Sequence, residues 1–298
     1  MKKSVTSRRD LLRKAGQVAL AASLPLSNLN ALSYPTTYQP IKSRINHSVC
    51  SWTYGFLSLP ELCILVKQLG INTIDLVAPK DFAILKEMQV NCSMCYTAGK
   101  VSLTQGWNDP ANHSWLIKDY LEAIPLVAQA GYKNLICFSG NRNGMDNQTG
   151  LENCVKGLQQ ILPTAEKYGV TIQMELFNSK VDHKDYMADN STWAIALCKK
   201  IGSDNFKLLY DIYHMQISEG DIIRTIQENY MYFGHYHTAG VPGRHEIDET
   251  QELFYPAIMQ AIAATGYTGF VAQEFIPSGK TKEDKIAALE KAIKICTI

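Results

Sequence analysis

From residue 45 onward the chain alternates between two patterns of apolar and polar positions. Short runs rich in apolar and β-branched residues cover roughly 45 to 52, 72 to 77, 90 to 97, 133 to 138, 170 to 176, 207 to 211, 231 to 237 and 269 to 275. Between them lie longer segments with apolar residues at helical spacing, for example 60 to 69, 115 to 130, 151 to 168, 193 to 201, 252 to 265 and 282 to 295. The first pattern predicts strands and the second amphipathic helices, and their alternation predicts parallel strands joined by crossover helices. Glycines at 70, 131, 169, 202 and 266 close helices just before the next strand begins. Eight such units in about 265 residues predict an α/β fold, a single (β/α)8 TIM barrel, for which about 250 residues is usual. A doubly wound open sheet would bring a glycine-rich phosphate turn after the first strand, and the run from Cys50 through Ser51, Trp52, Thr53 and Tyr54 to Gly55 offers none.

The first 33 residues read differently. Lys2, Lys3, Arg8, Arg9, Arg13 and Lys14 precede an apolar stretch from Ala15 to about Leu26, diluted by Gly16, Gln17 and Ser23. That stretch is well short of the roughly 20 residues that span a bilayer, so a removed targeting segment fits better than a membrane anchor, with a cut near Ala31 to Ser33. The run SRRDLLRK at 7–14 resembles the twin-arginine export signal, which implies a periplasmic protein that crosses already folded. Residues 34–298 form the barrel.

With 46% hydrophobic residues the chain can bury a large core, and 19% charged residues giving a net charge of +1 leave no electrostatic footprint for nucleic acid or anionic lipid. A small molecule is the expected partner. The eight cysteines mostly sit inside apolar strand or helix patterns, so buried free thiols are expected rather than a disulfide framework. The pair Cys92 and Cys95 has redox spacing, but its setting reads as a strand rather than a helix N-terminus, which favours core packing.

In a TIM barrel the site forms at the C-terminal strand ends, and the later strands finish on polar residues: Glu175 on the fifth, Asp211 on the sixth with His214 three residues on, His237 on the seventh and Glu274 on the eighth. Their spacings of 36, 26 and 37 residues each suit one strand-helix unit, so all four can converge. Three carboxylates at one point repel unless a cation neutralises them. Two glutamates, an aspartate and a histidine make an oxygen-rich, borderline ligand set suited to Mn2+, Mg2+ or Co2+ rather than to a thiolate-bound structural zinc.

Four stretches carry a resemblance: MELFNSKVDH at 174–183, YDIYHMQ at 210–216 with Glu219 and Gly220, GHYHTAGVPGRHE at 234–246, and GYTGFVAQE at 266–274. They resemble the hydroxypyruvate isomerase family within the xylose-isomerase-like TIM-barrel superfamily, over the whole chain after its leader. The resemblance implies a metal held by Glu175, Asp211, His237 and Glu274, with Glu175 and Glu274 facing the substrate from opposite sides as catalytic acid and base. It places His214 and Arg244 against the substrate, and His183 and Glu246 in loops of the site region. It implies isomerisation or epimerisation of an α-hydroxy ketone, hydroxypyruvate-like or a keto-sugar, by proton transfer through an enediolate. Similar proteins are commonly dimers or tetramers. Bacterial hydroxypyruvate isomerases often carry glutamine where His237 stands, whereas related ketose 3-epimerases use histidine, so the substrate stays open.

Two other functions share the same site: a keto-sugar lyase or hydratase, since an enediolate can also eliminate a β-substituent, and a non-catalytic sugar-binding barrel. The retention of both glutamates argues against the latter. A DNA-repair nuclease would need more histidines for its zinc ions and a more basic surface. Among flanking residues, His235 shares the strand face of His237 but lies deeper, where a structural hydrogen bond is expected. His47 sits near the pocket floor, Trp52, Trp107 and Trp115 are candidates for an apolar wall or for core packing, and 108–113 reads as a turn-rich lid after the third strand.

Overall fold

The computed structural model describes residues 40–298, which fall within one compact unit, Tyr38–Ile298. The expected targeting segment, 1–33, lies outside the described residues. Among those described, no helix is long and apolar enough to cross a membrane.

Eight strands form one parallel sheet: β1 (Asn46–Cys50), β2 (Thr73–Asp75), β3 (Asn91–Cys92), β4 (Asn134–Cys137), β5 (Thr171–Glu175), β6 (Phe206–Asp211), β7 (Phe233–Thr238) and β8 (Phe270–Gln273). Their order is β3-β2-β1-β8-β7-β6-β5-β4, and a parallel bridge between Cys95 and Leu135 joins the two ends. That closure makes the sheet a barrel, as expected. The third strand is shorter than its apolar run: after Cys92 regular pairing gives way to a single bridging residue, Cys95, with Val77 on one side and Leu135 on the other.

Ten α-helices lie between or after the strands: α1 (Leu59–Gln68), α2 (Phe82–Glu87), α3 (Pro110–Gln129), α4 (Asn147–Leu158), α5 (Leu162–Tyr168), α6 (Ser191–Ile201), α7 (Ile212–Ser218), α8 (Ile222–Asn229), α9 (Tyr255–Ala264) and α10 (Lys282–Cys296). Gly169 and Gly202 take φ of 66° and 71° at the ends of α5 and α6, a conformation that costs a residue with a Cβ about 1 kcal/mol or more. The helix expected over 151 to 168 is two helices, because Pro163 opens the second with no N–H to continue the first.

The segment 108–113 is not a lid. Asp109 caps α3 by accepting from the Ala111 N–H at 2.9 Å, Pro110 starts the helix, and Asn108, Asn112 and His113 are buried. Turn-forming residues here serve as a helix start. All eight cysteines are buried and free, including Cys92 and Cys95.

The barrel interior is polar at one level. Ser48 of β1 meets Ser93 at 2.6 Å, Ser93 donates to Asp75 at the end of β2, and His235 and His237 of β7 reach the same aspartate. Because strand side chains alternate, His235 and His237 enter the barrel together while Tyr236 between them packs outward against Tyr210 and Tyr267.

Candidate active site

Glu175 and Asp211 are the last residues of β5 and β6, His237 is the last but one of β7, and Glu274 follows β8 directly. All four are buried, and one ligand atom from each lies within 4.8 Å of the others. His237 Nδ1 is 3.0 Å from Glu175 Oε1 and 3.0 Å from Glu274 Oε2, so the two glutamates flank one imidazole. Asp211 divides its oxygens: Oδ1 caps α7 by accepting the His214 N–H at 3.0 Å, which leaves Oδ2 to the cluster.

Arg244 is the fixed cation of the cluster. Its Nη2 lies 2.5 Å from Glu274 Oε2 and 3.7 Å from Asp211 Oδ2, and its guanidinium rests between the Trp52 and Tyr213 rings, 5.2 Å and 5.7 Å from their centroids. Its backbone φ of 60° is uncommon for a residue with a Cβ. Two bonds hold it there: the Arg244 N–H donates to Gly240 O at 3.0 Å, and its carbonyl accepts from the Ile276 N–H at 2.7 Å. Trp52 is exposed and donates its Nε1–H to Glu274 Oε1 at 2.8 Å.

Burial is the largest influence on every carboxylate here and opposes ionisation. Together with repulsion from Glu274 it pushes Glu175 up to about 7 and Asp211 up to about 8. In Glu274 burial is overcome by Arg244 and His237, with hydrogen bonds from His237 and Trp52, and the carboxyl is held well below the usual range. For His237 burial works against the charge, but Glu274, Cys50 and Asp75 outweigh it and raise the imidazole well above its ordinary value. In the metal-free site, therefore, one glutamate is firmly ionised while the other readily keeps a proton.

His214 is buried, and burial, then Arg244 and His183, keep it neutral. Its tautomer follows from Asn178, whose Oδ1 accepts from the Val181 and Asp182 N–H groups, so that its Nδ2 donates to His214 Nδ1 at 2.7 Å. The proton of His214 then sits on Nε2, which has no hydrogen-bond partner among the described residues and lies 3.8 Å from Asp211 Oδ2. An N–H donor is thereby aimed at the cluster. His183 stacks on Phe177 at 4.2 Å and stands 5.1 Å from His214, on the rim. Glu246 does not meet the cluster: Ser278 donates to both its oxygens, from its N–H at 2.6 Å and its Oγ at 3.0 Å, so Glu246 ties its loop to the one after β8.

His235 makes the expected structural bond, to Asp75 at 3.2 Å. His47 lies away from the cluster and bonds Thr297 at 3.2 Å. Of the three tryptophans named above, Trp52 touches the cluster, whereas Trp107 is fully buried against Tyr120 and Trp115 stands beside Asn112. Asp75, Asn178 and Tyr186 escaped the sequence reading. Asp75 carried the same signal as the others, an acid ending a strand; Tyr186 had none, since its hydroxyl bridges Ser139 and Glu175 from a loop. A cavity of about 720 Å3 opens at the opposite end of the barrel, lined by strand starts such as Asn91, Asn134, Thr171 and Phe270, and contains none of the clustered acids.

The chain matches the Xylose isomerase-like TIM barrel family over residues 66–295. It belongs to that family. Among curated relatives, the 2-oxo-tetronate isomerase of Cupriavidus necator is 36% identical over 117 residues, 39% of this chain and 44% of that protein. The human protein named "Putative hydroxypyruvate isomerase" is 36% identical over 110 residues, 37% of this chain and 40% of that protein. The matched stretch thus spans less than half the length of either relative. Solved structures share the fold: an AP endonuclease, family 2, from Brucella melitensis has a TM-score of 0.71 at 23% identity, covering 81% of this chain and 96% of that one. D-psicose 3-epimerase with D-tagatose from Clostridium cellulolyticum H10 has a TM-score of 0.70 at 16% identity, covering 85% and 98%. Barrels of the xylose-isomerase-like family often bind divalent metals, and Glu175, Asp211, His237 and Glu274 form such a cluster here.

Proposed function

We propose that this protein is a metal-dependent isomerase or epimerase that moves a proton beside the carbonyl of an α-hydroxy ketone. One observation carries the reading: two buried glutamates flank a single histidine, beside an aspartate, at the mouth of the barrel. The donor set fits a divalent cation, because three carboxylates are buried together around His237 and Arg244, and burial with mutual repulsion drives two of them toward the neutral form. Glu175, Asp211, His237 and Glu274 would hold it. When bound, such a cation supplies Lewis acidity that polarises a ketone and makes the adjacent proton more acidic.

The chain's own residues supply the rest. Of Glu274, fixed by Arg244 and Trp52, and Glu175, across His237, one accepts the α-proton and the other returns one. The Nε2–H of His214 and the guanidinium of Arg244 hold substrate oxygens. The names of the relatives, a 2-oxo-tetronate isomerase and a hydroxypyruvate isomerase, favour a short keto acid as the first compound to try. With the twin-arginine reading of 1–33, the working enzyme belongs in the periplasm.

The test is 1H NMR in D2O with Mg2+-loaded protein, hydroxypyruvate, 2-oxo-tetronates and a panel of ketoses. Metal-dependent loss of an α-proton signal, abolished in Glu274→Gln, is the expected result. Metal-loaded wild type that exchanges no α-proton in any of these compounds would overturn the reading.

A further inference from the structure

His237 has two nitrogens and two surroundings. Nδ1 faces Glu175 and Glu274, while Nε2 faces into the barrel, 2.7 Å from Oδ2 of Asp75. Asp75 is fully buried and held on its other oxygen by the Ser93 hydroxyl, which Ser48 meets in turn. An ionised Asp75 only accepts, so once Nδ1 serves a cation the remaining ring proton of His237 sits on Nε2, against Asp75. The Nδ1 lone pair then points at two carboxylates, an arrangement that is favourable only with a positive charge between them.

We propose that Asp75 is a positioning residue: it selects the Nε2–H tautomer of His237 and so presents Nδ1 as a ligand atom to the cluster of Glu175, Asp211 and Glu274. The inference rests on the metal-site reading above and extends it to a residue outside the four proposed ligands. Carboxylate partners of this kind fix ring orientation and raise the basicity of ligating histidines, and losing one typically costs about 10–100-fold in metal affinity. Asparagine at 75 keeps the shape, but its amide can turn an N–H toward Nε2 and select the opposite tautomer.

The experiment uses full-length protein labelled with 15N-histidine, metal-free and Zn2+-loaded, with His237 resonances identified by their absence in His237→Gln. Mn2+ affinity is titrated alongside. Wild type should show a His237 Nε2–H proton protected from exchange. Asp75→Asn should lose or shift that signal and bind Mn2+ about 10–100-fold more weakly; Ser93→Ala, which loosens Asp75, should shift it in the same direction with a smaller loss. An unchanged Nε2–H signal together with unchanged Mn2+ affinity in Asp75→Asn overturns the proposal. If that variant does not fold, the same result in Ser93→Ala overturns it. A wild type that binds no divalent cation sinks the functional reading instead, and the role of Asp75 is then decided by the metal-free Nε2–H signal in Asp75→Asn, which overturns the proposal if it matches wild type in shift and protection.

Discussion

Replacing Arg244 by methionine removes the fixed cation and keeps most of the stem's volume. The guanidinium side chain is 14% exposed and lies 2.5 Å from Glu274, so the variant removes the strongest of the groups that keep this buried carboxylate ionised and leaves it to His237 and Trp52. Breaking a buried pair costs about 3–5 kcal/mol when the remaining charge must stay ionised. Glu274 has another course: freed of Arg244, it can rise toward the range of its neighbours, about 7 for Glu175 and about 8 for Asp211, and take a proton. The folded variant then keeps a proton that the unfolded chain, with a glutamate value of about 4.3, has already released. A raised folded value contributes stability below the unfolded value and loses it as pH rises, so the deficit must grow between about pH 5 and pH 8. At pH 5.5 the lost stacking on Trp52 and Tyr213, about 1 kcal/mol, adds to roughly 1.5 kcal/mol of linkage already accrued above the unfolded value. By pH 8 the loss approaches about 5 kcal/mol, equivalent to roughly 10–20 °C in Tm for a domain of this size. Thermal and urea unfolding of metal-free wild type and Arg244→Met at both pH values measures the difference. Equal deficits at the two pH values, or a loss below about 1 kcal/mol at pH 8, would refute the charge argument.

Metal loading should release protons, because metal-free Glu175 and Asp211 retain theirs through burial and neighbouring carboxylates at values of about 7 and about 8. Mn2+ affinity should therefore climb between pH 6 and 8, by roughly tenfold per pH unit for each proton displaced, and calorimetry in buffers of different ionisation enthalpy at pH 6.5 should show net release; none would contradict the site's electrostatics. Tyr186→Phe should destabilise the protein by about 1–3 kcal/mol in urea unfolding, since the hydroxyl accepts the Ser139 N–H and donates to the Glu175 carbonyl, both at 3.0 Å. A loss under about 0.5 kcal/mol would mean that those backbone groups find other partners.

The fold was legible because burial obeys a local rule. In β5 and β6 the apolar runs end on Glu175 and Asp211, and the glycines after α5 and α6 mark where each unit turns back, so eight repeats of one pattern imply a barrel whose later strand ends share a mouth. Turn chemistry was less legible: 108–113 has the composition of a loop, yet Asp109 and Pro110 are equally the start of a helix, and only packing of Asn112 and His113 decided between them. The four clustered residues could be named from sequence because each ends its own strand. What they do to one another could not. That Glu274 rather than Glu175 receives Arg244 depends on a loop held by Gly240 and Ile276. That His237 turns Nδ1 to the mouth depends on Asp75, 162 residues earlier in the chain. Sequence spacing specifies which side chains share a face; the direction of a hydrogen bond and the charge a carboxyl keeps depend on distances of 2.5 to 4 Å between distant segments, and only the closed barrel sets those.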